Sequence, residues 1–205
     1  MKFYAFNDDG KDTVNLILDH NTTATVAWNS SGSNASGPSE VLKQLNDDTK
    51  SWVGTKTPSN YTMNQSGQTS NAKYTINYSD YKARLITAGE VAQITGNTTW
   101  DERTAKNIYY FDSKTDTASR KCKSGNTTGC KYGWLDDRTS KSCTDLGCLN
   151  NSDKETYGYW TASSRADSSN YAWGVSSASV RNNGVRYSRD YGVRPVITIL
   201  KSNLS

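Results

Sequence analysis

Four cysteines, Cys122, Cys130, Cys143 and Cys148, fall within a span of 27 residues. Thiols so close together can hold a metal, exchange electrons or cross-link the chain. A zinc site wants C-x2-C spacing or histidine ligands nearby. Here seven and four residues separate the two nearest pairs, and the only histidine is His20. Four cysteines permit three pairings. Short separations in a Gly-, Thr- and Asn-rich stretch favour two local staples, Cys122 with Cys130 and Cys143 with Cys148, each worth about 2 to 3 kcal/mol. His20 has no Ser, Cys or Asp partner in motif spacing, so a structural role is expected of it. Asn7-Asp8-Asp9-Gly10 and Asn46-Asp47-Asp48 are rich in oxygen, but each lacks the remaining ligands of a calcium loop. We expect no required metal and no cofactor.

A different chemistry is concentrated between Trp160 and Pro195. Trp160, Trp173, Val175, Val180, Val185 and Val193 read as scaffold, because large apolar residues at alternating strand positions belong to a core. The residues between them form the expected contact set: Arg165, Asp167, Ser169, Asn170, Tyr171, Gly174, Ser176, Ser177, Arg181, Asn182, Asn183, Arg186, Tyr187, Ser188, Arg189, Asp190 and Tyr191. Tyr and Arg offer area and directional hydrogen bonds, and Ser, Gly and Asn adapt around them, as in antibody paratopes. The plain alternative is a solvated surface of no consequence. Arg194, before Pro195, is expected to satisfy buried carbonyls rather than touch a ligand.

Several elements must position these residues. Asn15–Asp19 and Thr22–Trp28 read as a hairpin about His20-Asn21. Ser39 can cap a first helix running to about Lys50. Residues 51–79 read as loop with extended pieces around Tyr61 and Tyr74–Tyr78. Thr87 and Glu90 have capping-box spacing, so a second helix is expected from about Thr87 to near Gly96. The stretch 97–153 is irregular and holds the cysteines. A small antiparallel sheet follows: Tyr157–Thr161, Ala172–Arg181, a type I′ turn at Asn183-Gly184, and a terminal strand over Val193–Leu200.

The chain has 205 residues, enough for one domain with a real core. Only 34% are hydrophobic, yet 6 Trp and 13 Tyr are present, so aromatic side chains must supply much of the buried area. The charge of +4 is scattered over 24 basic and 20 acidic residues, without the basic stripe that phosphate binding needs. Nucleic acid is not an expected partner, and no membrane contact is expected of the fragment. Abundant Asn, Ser and Thr together with paired cysteines point outside the cell. No leader is visible, since Met1–Phe6 turns polar too early; we expect a leader or anchor to lie upstream of Met1 in the natural protein.

Two helices, an irregular stapled middle and a C-terminal sheet resemble the C-type-lectin-like fold, an α+β class. Arg84-Leu85-Ile86-Thr87-Ala88-Gly89-Glu90 resembles the R-L-x-T-x-x-E helix entry of formylglycine-generating-enzyme-like members. Tyr159-Trp160-Thr161-Ala162-Ser163 and Gly192-Val193-Arg194-Pro195-Val196 are similar to strings shared by bacterial and phage members. The resemblance covers roughly Arg84–Leu200 and implies a single domain over 1–205. Its residues 1–80 hold the hairpin, first helix and loop, and 81–205 the core with a variable region at 161–191.

Within that fold the chain resembles the variable proteins diversified by retroelements, in which adenine-only mutation rewrites asparagine codons. Such mutation of AAC or AAT can yield Asn, Ser, Tyr, Asp, Gly, Arg, Ala and similar residues, but never Lys, Glu, Gln, Met or Trp. Residues 161–200 contain no Lys, Glu, Gln or Met, whereas 1–160 contain 14 Lys, 4 Glu, 4 Gln and 2 Met. At that rate about six would be expected in the last forty. The resemblance implies an extracellular or surface-displayed receptor-like module, on a cell or a virus particle. It would bind a protein or glycan ligand on another cell or host surface. The E-P-N, Q-P-D and W-N-D strings of calcium-dependent sugar binding are missing, and an enzyme is not expected, because the cysteines read as staples without an acid/base pair. The alternative is an undiversified, pilin-like structural subunit of the same fold.

Overall fold

The computed structural model describes residues 1–8, 10–22, 25–112, 115, 130–136 and 158–204. Cys122, Cys143 and Cys148 lie outside them, and so do the expected staples. The architecture is α+β, with two helices and three small sheets among the described residues.

The first sheet joins the two ends of the chain. Its order is β1 (Phe3–Phe6), β2 (Thr13–Leu18), β10 (Val196–Leu200), all antiparallel, with Ala5 opposite Leu16 and Leu16 opposite Ile197. Alternation along β2 and β10 serves two cores. Val14, Leu16 and Ile197 face a cluster with Trp28, Val41, Leu45, Met63 and Trp160; Ile17 and Val196 face a second with Val91, Tyr159, Trp173, Val175 and Val180. Side chains alternate across a strand, so one sheet lines both clusters. Trp28, Trp160 and Trp173 are fully buried. At about 25 cal/mol per Å² over roughly 150–250 Å² each, burial of such rings contributes about 4 to 6 kcal/mol apiece before entropy.

The expected hairpin at His20-Asn21 is not formed. The neighbours of β2 are β1 and β10, so both its edges are taken, and the main chain after it crosses to the C-terminal segment. Thr22 N donates to Val193 O, Val26 N to Tyr191 O and Asn29 N to Val185 O, at 2.8, 3.0 and 3.0 Å. His20 is buried where β2 ends.

Helix α1 (Ser39–Thr49) buries Val41, Leu45 and Thr49, and Lys50 closes it. Its N-cap is Pro38 with no side-chain cap; Ser39 is the first helical residue and its hydroxyl donates to Glu40 instead. Residues 61–76, read as mostly loop, form a hairpin of β3 (Tyr61–Asn64) and β4 (Lys73–Ile76). Its alternation places Met63, Tyr74 and Ile76 in the first core. Helix α2 (Ala88–Ile94) starts at the expected capping box: Thr87 accepts from Glu90 N at 3.0 Å, and the Glu90 carboxylate accepts from Thr87 N at 2.9 Å.

The third sheet has the order β5 (Tyr109–Tyr110), β8 (Ser179–Gly184), β7 (Tyr171–Val175), β6 (Gly158–Ser164), β9 (Tyr191–Gly192). All pairs are antiparallel except β6 with β9. Ala172–Arg181 is therefore not one strand. The chain reverses at Ser177-Ala178, whose φ values of 51° and 50° suit a two-residue type I′ hairpin. Ser176 and Ser179 exchange main-chain bonds of 3.0 and 3.2 Å around it. Asn183-Gly184, the expected turn, lies inside β8 opposite Ala172 and Tyr171. Core burial explains the choice: this register sets Val175 opposite Val180, both fully buried in the second core.

Candidate functional site

The contact set divides by where the sheet leaves it. Ser169, Asn170, Arg186, Tyr187, Ser188 and Arg189 are exposed. Arg165, Asp167, Tyr171, Arg181, Asn182, Asn183 and Asp190 are half-buried, and Gly174, Ser176, Ser177 and Tyr191 are buried. Tyr191 is only 3% exposed, its ring packed edge-on against Trp160 at 4.7 Å. Gly174 makes room for it, because a Cβ there would run into the Tyr191 ring and lie 2.7 Å from Tyr159 O. These four buried residues offer no surface to a ligand in this conformation.

The scaffold residues Trp160, Trp173, Val175, Val180, Val185 and Val193 are all buried. Arg194 is fully buried; it donates to Leu18 O at 2.6 Å, Asp136 O at 2.9 Å and Trp134 O at 2.7 Å, and lies over the Tyr159 ring at 5.1 Å. It ties the first sheet to the segment after Cys130.

Two half-buried members of the contact set brace the surface. Arg165 pairs with Asp167 at 2.5 Å, donates to Lys106 O at 2.8 Å and covers the Trp173 ring at 5.6 Å. Asn183 donates to Asp190 at 2.7 Å, which ties β8 to the segment before β9.

Three of the exposed members, Asn170, Arg186 and Tyr187, and the half-buried Tyr171 line one depression of about 480 Å³, together with Gly32, Gly184 and Val185. Two glycines seat its side chains. A Cβ on Gly184 would lie 2.6 Å from the Tyr187 ring, and one on Gly32, where φ is +85°, would run into the Arg186 guanidinium. Arg186 also donates to Ser31 O at 2.8 Å.

Sequence reasoning read 29–37 as a loop but left it out of the site, to which it contributes Gly32. Asn34, fully buried, donates through its side-chain amide to Tyr171 O at 2.6 Å, Ser168 O at 2.7 Å and Arg165 O at 3.3 Å. Asn34 N adds a bond to Ser169 O at 2.7 Å. Asn29 holds the loop closed by donating to Gly37 O at 2.7 Å. Partners up to 137 residues away leave no local pattern; the one signal was a polar Ser/Gly/Asn loop directly after an apolar run.

A second buried layer backs β6. Glu102 accepts from Tyr61 at 2.9 Å, Gly89 N at 2.8 Å and Ser163 at 2.5 Å, while Gln65 donates to Ser164 O at 2.9 Å. Burial holds the Tyr61 and Tyr74 phenols well above their usual range, so both act as neutral donors. Ser163 is fully buried, and its hydroxyl works as a brace for the strand rather than a nucleophile. Three carboxylates of the acidic strings are engaged within the chain: Asp8 pairs with Lys201 at 2.5 Å, Asp47 with Lys43 at 2.9 Å, and Asp48 accepts from Thr22 at 2.7 Å.

Fold and site together define an α+β protein with a polar, tyrosine- and arginine-lined depression on a rigid sheet. No family model, curated protein or solved structure matches the chain. Among the described residues, no helix is long and apolar enough to cross a membrane.

Proposed function

We propose that the chain is a ligand-binding display module of C-type-lectin-like fold, related to the variable proteins that retroelements diversify, and that it works on a cell surface or virus particle. The observation that carries this reading is the convergence of Asn170, Tyr171, Arg186 and Tyr187 on one depression, whose lining includes the buried scaffold residue Val185. A surface of Tyr, Arg, Ser and Asn on a rigid frame has the chemistry of a paratope. The joined chain ends, the two helices and the buried Arg194 support the fold assignment, and the absence of Lys, Glu, Gln and Met from residues 161–200 supports diversification.

The test is selection from a displayed random-peptide library and a glycan array, using the folded protein and a variant with Asn170, Tyr171, Arg186 and Tyr187 all changed to alanine. Binders of the parent should be lost by the variant while its melting temperature stays within a few degrees. Binders that the variant retains would overturn the assignment. Tyr191 is left out, because its replacement would empty a packed site beside Trp160. Diversification is tested separately at the gene, where a nearby repeat differing mainly at adenines is required.

A further inference from the structure

We infer that the depression takes a carboxylate, from an aspartate or glutamate side chain on a protein ligand, with Arg186 as its cation; this rests on the binding reading above. Arg186 is the only charged residue in the lining. Among the described residues it has no acidic partner: Asp167 is held by Arg165, and Asp190 by Asn183. Its guanidinium is preorganised against Gly32, with one NH2 hydrogen on Ser31 O. The second NH2 hydrogen and both hydrogens of NH1 remain for a ligand. Two parallel N–H donors on one edge match the two oxygens of a carboxylate.

The neighbours fit a side chain better than a sugar. A sugar presents rows of hydroxyl donors and needs acceptors to receive them, but no carboxylate lines the depression and Asn170 is the one amide. Tyr171 and Tyr187 offer hydroxyls that can donate as well as accept, and ring surface for the methylenes next to an acid group. Nor does a single cation fit a phosphate backbone, which asks for a track of charges.

The experiment uses isotope-labelled protein and three probes: a capped pentapeptide with one central glutamate, its glutamine counterpart, and a disaccharide containing glucuronate. The glutamate peptide should move the Arg186 Nε–H signal and the amides of Gly32 and Tyr187, with affinity about tenfold above the glutamine peptide. The shifts should shrink at about 0.5 M salt and vanish in Arg186→Gln. Gly32→Ala, which displaces the guanidinium without removing its charge, should weaken the glutamate peptide as well.

Equal shifts from glutamate and glutamine peptides would overturn the inference and leave the binding surface standing. Shifts from the disaccharide alone would reassign the cation to an acidic sugar and overturn the peptide ligand. Still amides around the depression with every probe would overturn both the inference and the reading beneath it.

Discussion

Asn34 does its work with one amide and a main-chain N–H, and through them it holds the whole 165–171 turn. Removing the amide takes that donor from three carbonyls; Tyr171 O keeps Arg165 N at 3.1 Å, while Ser168 O and Arg165 O lose it, and a buried acceptor left unpaired costs about 1 to 3 kcal/mol. Asn34→Ala should lower the free energy of unfolding by about 3 kcal/mol, read from the urea midpoint at unchanged slope. Asn34→Asp should be no better, since a carboxylate cannot donate. A loss under about 0.5 kcal/mol would show that the turn holds itself. Arg194 was legible in the sequence because an arginine before proline ends a recognisable string. Tyr191 was not: its burial depends on a gap that Gly174 leaves on another strand, which composition cannot reveal.

Among the elements, α2 was legible to its cap, since Thr87 and Glu90 need only three residues of separation to find each other. The last hairpin was not. Asn183-Gly184 has the better turn chemistry, yet the chain turns at Ser177-Ala178 because Val175 and Val180 must share the second core. Tertiary burial here overrides local preference, and two residues with side chains accept a left-handed backbone at about 1 to 2 kcal/mol each. Ala178→Gly should therefore be tolerated within about 1 kcal/mol, relief of strain offsetting the lost methyl contact. Ala178→Val should cost about 2 kcal/mol or more, because a β-branched residue resists positive φ. Thermal denaturation of the two variants separates these outcomes; a valine variant as stable as the parent would mean the turn sits elsewhere. The β3–β4 hairpin was faint for another reason, since its two strands are four residues long and rich in Thr, Asn and Lys.

For the molecule as a whole, the α+β class was legible from two helical patterns and a β-rich end, but the pairing of β10 with β2 was not, because it spans nearly the full chain. That pairing makes the two cores depend on each other. Leu16 reports on one and Ile17 on the other, from adjacent positions of one strand. Their amide protons should exchange with the same opening free energy, equal to that of global unfolding. Two distinct values would divide the protein into separately folding halves.

The grip of the 26–34 segment on the C-terminal region runs largely through carbonyls: Trp28 on Thr161 O, Val26 on Tyr191 O, Asn29 on Val185 O and Asn34 on four more. Every residue type carries the same carbonyl, so these bonds are blind to the side chains they hold, unlike the Trp160 and Arg186 side chains, which donate back to Val26 O and Ser31 O. Substitution at 168, 169 or 170 leaves these main-chain acceptors in place, so the side chains there can change while the clasp keeps hold of the same trace of backbone.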